Sequence, residues 1–225
     1  MSHSNKLNLN IFDYFLILGV TASSISFSIL TKSFDLIGTI AAITGLCCVV
    51  LVAKRNIFNY IFGVINVSLY AYISFRADLY GDAALNALYY LPMQFIGFFS
   101  WIKKKDIDPS TVQSRRMNTK ERIIWCISSA IAVVIVGFIL KHFGDTQPFK
   151  DSATTVLSVI AMFLMVKAYM EQWAFWIVVN IISVVMWVIA ASNGEAHSEL
   201  MIIMWIFYLA NSINGLRVWH KASCK

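Results

Sequence analysis

Residues 173–192 read WAFWIVVNIISVVMWVIAAS. The stretch holds no Asp, Glu, Lys or Arg. As a helix rising 1.5 Å per residue it would be about 30 Å long, the thickness of a bilayer's hydrocarbon core. The apolar residues run on without two-residue alternation, so a helix is favoured over a strand. Polarity is confined to one stripe. A helix turns 100° per residue, which places Trp173, Trp176, Asn180 and Trp187 within a narrow arc.

Seven other runs resemble it. They are Ile11–Leu30, Phe34–Ala53, Asn56–Phe75, Ala83–Ile102, Ile123–Leu140, Ala153–Met170 and Glu199–Trp219, which with Trp173–Ser192 predicts eight transmembrane helices. The composition agrees, since 59% of the 225 residues are hydrophobic and only 13% are charged, far from a soluble domain. The net charge of +6 does not indicate nucleic acid, because the basic residues sit in short loops between the runs. Eight spans put both termini on one side. That side would carry fourteen Lys and Arg residues, against Lys32, Arg76, Lys141 and Lys150 opposite. Both termini are therefore expected in the cytoplasm, and the basic loop Lys103–Arg122 with them. Asp13 interrupts the first run, which lacks a cleavage site after a short core, so it is expected to stay as a helix.

The two parts of the chain look alike. Tyr90, Gly97 and Trp101 recur 118 residues later as Tyr208, Gly215 and Trp219. Asn59, Phe62 and Asn66 align with Trp173, Trp176 and Asn180 at an offset of 114. Two ordered matches suggest an internal repeat of three helices. The expected plan is an N-terminal tail and extra helix (1–33), a first repeat (34–102), a loop with connector helix and outside loop (103–152), a second repeat (153–219) and a tail (220–225). Three helices plus one connector make the repeats parallel, a plan that holds a ligand between them near the midplane.

Stripes of amide and ring recur on the paired helices. Asn66 and Tyr70 share a face, as do Tyr90 and Gln94, and Tyr208 and Asn211. An unpaired amide in hydrocarbon costs several kcal/mol, so these groups should face the interior. Two readings stay open. The amides are glue between helices, with the rings as belt anchors, or together they hold a polar, aromatic ligand. No charged residue lies mid-span on the stripe-bearing runs, which argues against proton or ion coupling. The missing mid-span Arg and Lys, with no glycine-rich loop, also argue against phosphate. Rings and amides suit a flat, hydroxyl-bearing ligand, and Trp faces attract a cationic ring. Enzyme chemistry has little support. His3, His142, His197 and His220 lie outside or at the edge of the runs, none at metal-ligand spacing, so neither metal nor cofactor is expected. The cluster Glu195, His197, Glu199 reads as a solvated loop. Cys47, Cys48, Cys126 and Cys224 form no C-x-x-C pair and read as packing residues.

Trp173-x2-Trp176-x3-Asn180, then Glu199-Leu200 and a Gly215-x3-Trp219 ending, resembles the PnuC family of bacterial nicotinamide riboside transporters, related to the SWEET sugar transporters. The resemblance covers Phe34–Trp219 and implies an all-α, SWEET-like membrane fold: a 3+1+3 parallel-repeat core with one extra N-terminal helix. It also implies facilitated uptake of nicotinamide riboside, an NAD precursor, across the bacterial inner membrane, trapping by a cytoplasmic kinase, and a homo-oligomer, a trimer. The motif carries over Trp173, Trp176 and Asn180 as substrate-binding residues. Stripe geometry adds Asn66, Tyr90, Gln94, Tyr208 and Asn211. The pyridinium would meet the Trp rings, and the carboxamide and ribose would meet the amides. Rival readings are a carrier of thiamine, another vitamin or nucleoside, or a sugar; a membrane enzyme; and a receptor subunit that moves nothing.

Overall fold

The computed structural model describes residues 9–30, 36–76, 80–106, 108–144, 147–193 and 198–223. His197 and Cys224 lie outside these residues. Each of the eight apolar runs is helical: α1 (Ile11–Leu30), α2 (Leu36–Ala53), α3 (Asn59–Arg76), a span of three parts, α6 (Thr119–His142), α7 (Pro148–Val166), α8 (Gln172–Ser192) and α9 (Ser198–Ser223). The composite span is α4 (Tyr80–Ala84), a π-helical stretch Leu85–Tyr90, and α5 (Leu91–Ile102). Pro92 explains the widening. It has no N–H to give the turn behind it, and Leu91 N–H instead reaches five residues back to the carbonyl of Asn86. Five described helices, α2, α6, α7, α8 and most of α9, are long and apolar enough to cross a bilayer. Among the described residues there are isolated β-bridges but no strand.

The chain divides into two compact units, Met1–Gln113 and Ser114–Lys225. In the first, α1 packs on α2, α2 on α3, and α3 on α4 and α5. In the second, α6 packs on α7, α7 on α8 and α8 on α9, so the expected connector helix α6 lies against the helix that follows it. Both units are inside-out by the standards of a soluble protein. Large apolar side chains such as Phe15, Ile61, Phe99, Ile124, Phe138 and Ile206 are exposed, while Asn59, Gln94, Gln172, Asn180 and Asn211 are buried. That arrangement suits hydrocarbon as the surrounding solvent.

The turns α2–α3 and α7–α8 have the same backbone. Arg55 N–H donates to Val52 and Asn56 N–H to Leu51; Ala168 N–H donates to Met165 and Tyr169 N–H to Leu164, all at 2.9–3.0 Å. This is the Schellman ending, which needs a left-handed residue and normally takes Gly. Here that residue is Arg55 (φ 59°) or Ala168 (φ 61°). The next side chains match too. Asn59 Nδ2 donates to the Asn56 carbonyl at 2.7 Å, and Gln172 Nε2 to the Tyr169 carbonyl at 3.2 Å. Every one of these pairs is 113 residues apart, so the offset of 114 expected from the asparagines is corrected by one.

The basic loop is tied to these turns. In the first unit Val112 N–H bonds the Arg55 carbonyl and Ile57 N–H bonds that of Ser110. The Arg55 guanidinium reaches Asp106 (2.8 Å) and the Val112 carbonyl (2.9 Å). Hydrogen bonds from the Ser110 amide and hydroxyl, with Arg55 nearby, hold the Asp108 carboxyl below the usual carboxylate range. In the second unit Arg115 N–H bonds the Ala168 carbonyl, and Met170 N–H bonds that of Arg115. Glu171 then receives Met117 N–H and the Arg122 guanidinium. Among the described residues the buried carboxylates are Asp13 and Glu171, each at a helix end beside a base, Asp13 with Lys54 at 2.6 Å and Glu171 with Arg122 at 2.8 Å.

Candidate functional site

In the second unit the stripe on α8 meets α9. Trp173 begins it and is 2% exposed. Its ring lies edge-on to Trp219, centroids 6.3 Å apart, and against Gly215, where any Cβ would overlap the indole. Trp173 is therefore part of the unit's packing. Trp176, one turn on, is half-buried. Asn180 is buried and donates through Nδ2 to Ser212 Oγ at 2.8 Å. Asn211 is buried beside Ser212 in sequence. Tyr208, half-buried one turn earlier, meets the edge of Trp205 at 5.7 Å. The unit thus gathers a buried amide and hydroxyl pair between α8 and α9, with half-buried rings on the neighbouring turns.

In the first unit the expected residues are less well gathered. Asn66 is half-buried and donates to the Ala41 carbonyl at 2.8 Å, so it faces α2. Gln94 is buried on α5, and its amide fills the space that a side chain at Gly63 of α3 would need. Its Oε1 is sealed from solvent and, among the described residues, has no hydrogen-bond partner. Tyr90 stands in the π-helical stretch, its ring 5.3 Å from Tyr89. A cavity of about 320 Å³ opens between α3 and α5, lined by Gln94 and Tyr60 among apolar side chains.

Sequence reasoning missed three residues here. Tyr60 lies on Gly97 beside Trp101, at 5.0 Å, as Trp173 lies on Gly215 beside Trp219. An offset of 113 would have paired them. Ser212 gave no signal, since a helical serine has many roles. Trp205 could have been found three residues before Tyr208, on its face. Among the described residues no group of three or more His, Cys, Asp and Glu is placed to hold a metal ion.

A family model described as nicotinamide mononucleotide transporter matches residues 35–221. The nicotinamide riboside transporter PnuC of Neisseria mucosa is 39% identical over 190 residues, covering 82% of this chain and 72% of that one. This chain belongs to the PnuC family. The Escherichia coli PnuC, also named as a nicotinamide riboside transporter, is 30% identical over 213 residues, covering 82% and 84%. A crystal structure of the vitamin B3 transporter PnuC superposes with a TM-score of 0.79 at 33% identity, covering 96% of this chain and 94% of that one. A more distant relative, 23% identical over 188 residues, is the riboflavin/roseoflavin transporter RibM of Streptomyces davaonensis, covering 82% of this chain and 83% of that one. The chain is thus a multi-pass membrane protein of a transporter family, not of an enzyme family.

Proposed function

We propose that this PnuC protein carries nicotinamide riboside across the bacterial cytoplasmic membrane, down the ligand's gradient. The observation that carries the reading is the Trp176–Asn180 stripe of α8, matched to the family motif and joined by Asn180 to buried Ser212. The family model speaks of the mononucleotide and the PnuC relatives of the riboside. Chemistry favours the riboside. A phosphate in a low-dielectric site needs Arg, Lys or an array of N–H donors. Among the described residues, Lys and Arg stand at helix ends or in the loops between helices. The lack of mid-span carboxylates likewise supports transport uncoupled from protons or sodium.

All eight helical spans cross the membrane in this proposal, with both termini in the cytoplasm. The common turns at an offset of 113 support parallel repeats of the SWEET-like kind. The substrate-binding residues of this proposal are Trp176, Asn180, Tyr208 and Asn211 in the second unit and Asn66, Tyr90 and Gln94 in the first. Trp173 contributes by holding α8 on α9. The family resemblance supports a homo-oligomer, a trimer, with one path per protomer.

The test is calorimetric titration of the purified protein with nicotinamide riboside, its mononucleotide, thiamine and riboflavin. The riboside should bind, and the mononucleotide should bind at least tenfold more weakly. Riboside binding absent while another of the four binds would overturn the assignment.

A further inference from the structure

We propose that Trp205 is a further ligand-binding residue, whose indole N–H donates to an acceptor oxygen of the transported molecule. The inference rests on the transport reading above. Trp205 lies on α9 three residues before Tyr208 and seven before Ser212, so the three share a face. Its ring stands edge-on to Tyr208, with an interplanar angle of 70°. Its Nε1 is sealed from solvent, yet among the described groups it meets no acceptor.

An indole N–H without a partner is unusual in a buried place, because the group has given up water for nothing. A belt tryptophan escapes this by turning its N–H to the interface. That explanation does not apply here. Trp205 is seven residues into α9, roughly 10 Å along the helix at 1.5 Å per residue, and its nitrogen is covered by protein. Trp173 also has an unpartnered Nε1, but its ring fills the packing between Gly215 and Trp219 and is nearly all enclosed. Trp205 is only half-buried. It is less enclosed than Trp173, and in this proposal its ring turns to present the nitrogen to the ligand.

The position fits a ligand that also meets Asn180. Ser212, which holds Asn180, is two turns further along α9, about 10 Å away. A nucleoside-sized ligand bridges that interval. Nicotinamide riboside offers acceptors at both ends, the carboxamide carbonyl and the ribose oxygens. A donor left unpaired in the ligand-free protein raises the energy of that state, and a ligand that satisfies it lowers the bound state by comparison.

Trp205→Phe tests this, since it keeps a ring and removes the N–H. The affinity for nicotinamide riboside should fall about tenfold while the melting temperature without ligand stays within a degree or two. Two analogues locate the bond: the pyridinium riboside lacking the carboxamide, and nicotinamide lacking the ribose. With one of them wild type and variant should bind alike. Trp205→His, which keeps a ring N–H, should retain part of the affinity and serves if the Phe variant does not fold. Equal binding of the riboside by wild type and Trp205→Phe would overturn the proposal. So would an equal loss for the riboside and both analogues, which would mean ring packing alone. If the wild-type protein binds no nicotinamide riboside, the transport reading fails first and this inference falls with it.

Discussion

At the start of α3, Tyr60 lies on Gly97 beside Trp101; at the start of α8, Trp173 lies on Gly215 beside Trp219. The two regions use the same backbone turn and the same aromatic-on-glycine contact. One turn further they part. The first unit has Gly63 with the long side chain of Gln94 pressed on it. Counting by 113 on α8 and by 118 on α9, the second unit has Trp176 in place of the glycine and Ser212 in place of the glutamine. Large and small have changed places. The next positions are Asn66-Val67 in one and Val179-Asn180 in the other. The amide has moved by one residue, about 100° around the helix, and so bonds the Ala41 carbonyl of α2 in one unit and Ser212 of α9 in the other. Packing at the helix starts is shared because it holds each unit together. The positions that differ are those with polar groups and rings to offer a ligand.

The shared part is the easier to break, and breaking it should have the largest effect. A Cβ at Gly97 meets the Tyr60 ring and one at Gly215 meets the Trp173 ring, both too close to stand. Neither ring has room to retreat, since each is already against a tryptophan. Gly97→Ala and Gly215→Ala should each destabilise the protein by up to about 3 kcal/mol, read from thermal unfolding in detergent. A marked difference between the two would mean that the matched geometry does not have matched worth.

The divergent part should show in binding instead. Trp176→Ala should weaken nicotinamide riboside binding by about 2 kcal/mol if its ring meets the pyridinium in a desolvated place. Trp176→Phe should recover part of the loss. The reduced riboside, whose ring carries no charge, should be much less affected. An equal loss for both ligands would leave Trp176 as packing only. Smaller again, Asn180→Leu should weaken binding by about 1.5 kcal/mol, the upper end for one hydrogen bond. Asn66→Leu should lose less binding, since its Nδ2 bonds a backbone carbonyl of α2, whereas that of Asn180 bonds Ser212, a hydroxyl with a proton of its own to offer a ligand. The opposite order would reverse the functional contrast between the two amides.

Much of this fold can be read from the sequence, because hydrocarbon imposes one rule on every span. The run Ile11–Leu30 matches α1 at both ends. α6 begins four residues before the expected Ile123, because Asn118 and Glu121 form a capping box on polar residues that hydropathy passes over. Helical periodicity also picks out Trp176 and Asn180. What stayed hidden depends on three-dimensional partners. Aligning on the asparagines put the repeat out of register, whereas Tyr60 and Trp173, the residues that pack on glycine, carry the true one. The left-handed turns were invisible because neither Arg55 nor Ala168 is a residue that signals such a conformation. Ser212 and the nitrogen of Trp205, without a partner among the described residues, become informative only once α8 and α9 are packed.

Those turns give the smallest and sharpest test of the comparison. A non-glycine residue held left-handed costs roughly 1–2 kcal/mol, and glycine removes that strain. Part of the gain, about 0.4–1 kcal/mol, is lost to the freer unfolded chain. At Ala168 the bonds from Arg115 N–H and to Met165 use only backbone groups that glycine also has, but a fully buried methyl is lost, at about 0.8 kcal/mol. Ala168→Gly should therefore leave stability close to wild type, with a gain of at most about 0.8 kcal/mol. Arg55→Gly relieves the same backbone but deletes the guanidinium bonds to Asp106 and the Val112 carbonyl. A partly exposed ion pair of this kind is worth about 0.2–1 kcal/mol, enough to cancel the gain. Ala168→Gly should melt near wild type, and Arg55→Gly, which also loses its guanidinium bonds, should melt lower. If Arg55→Gly melts as high as Ala168→Gly, the side-chain bonds of Arg55 add nothing, and the two turns are equivalent in energy as well as in shape.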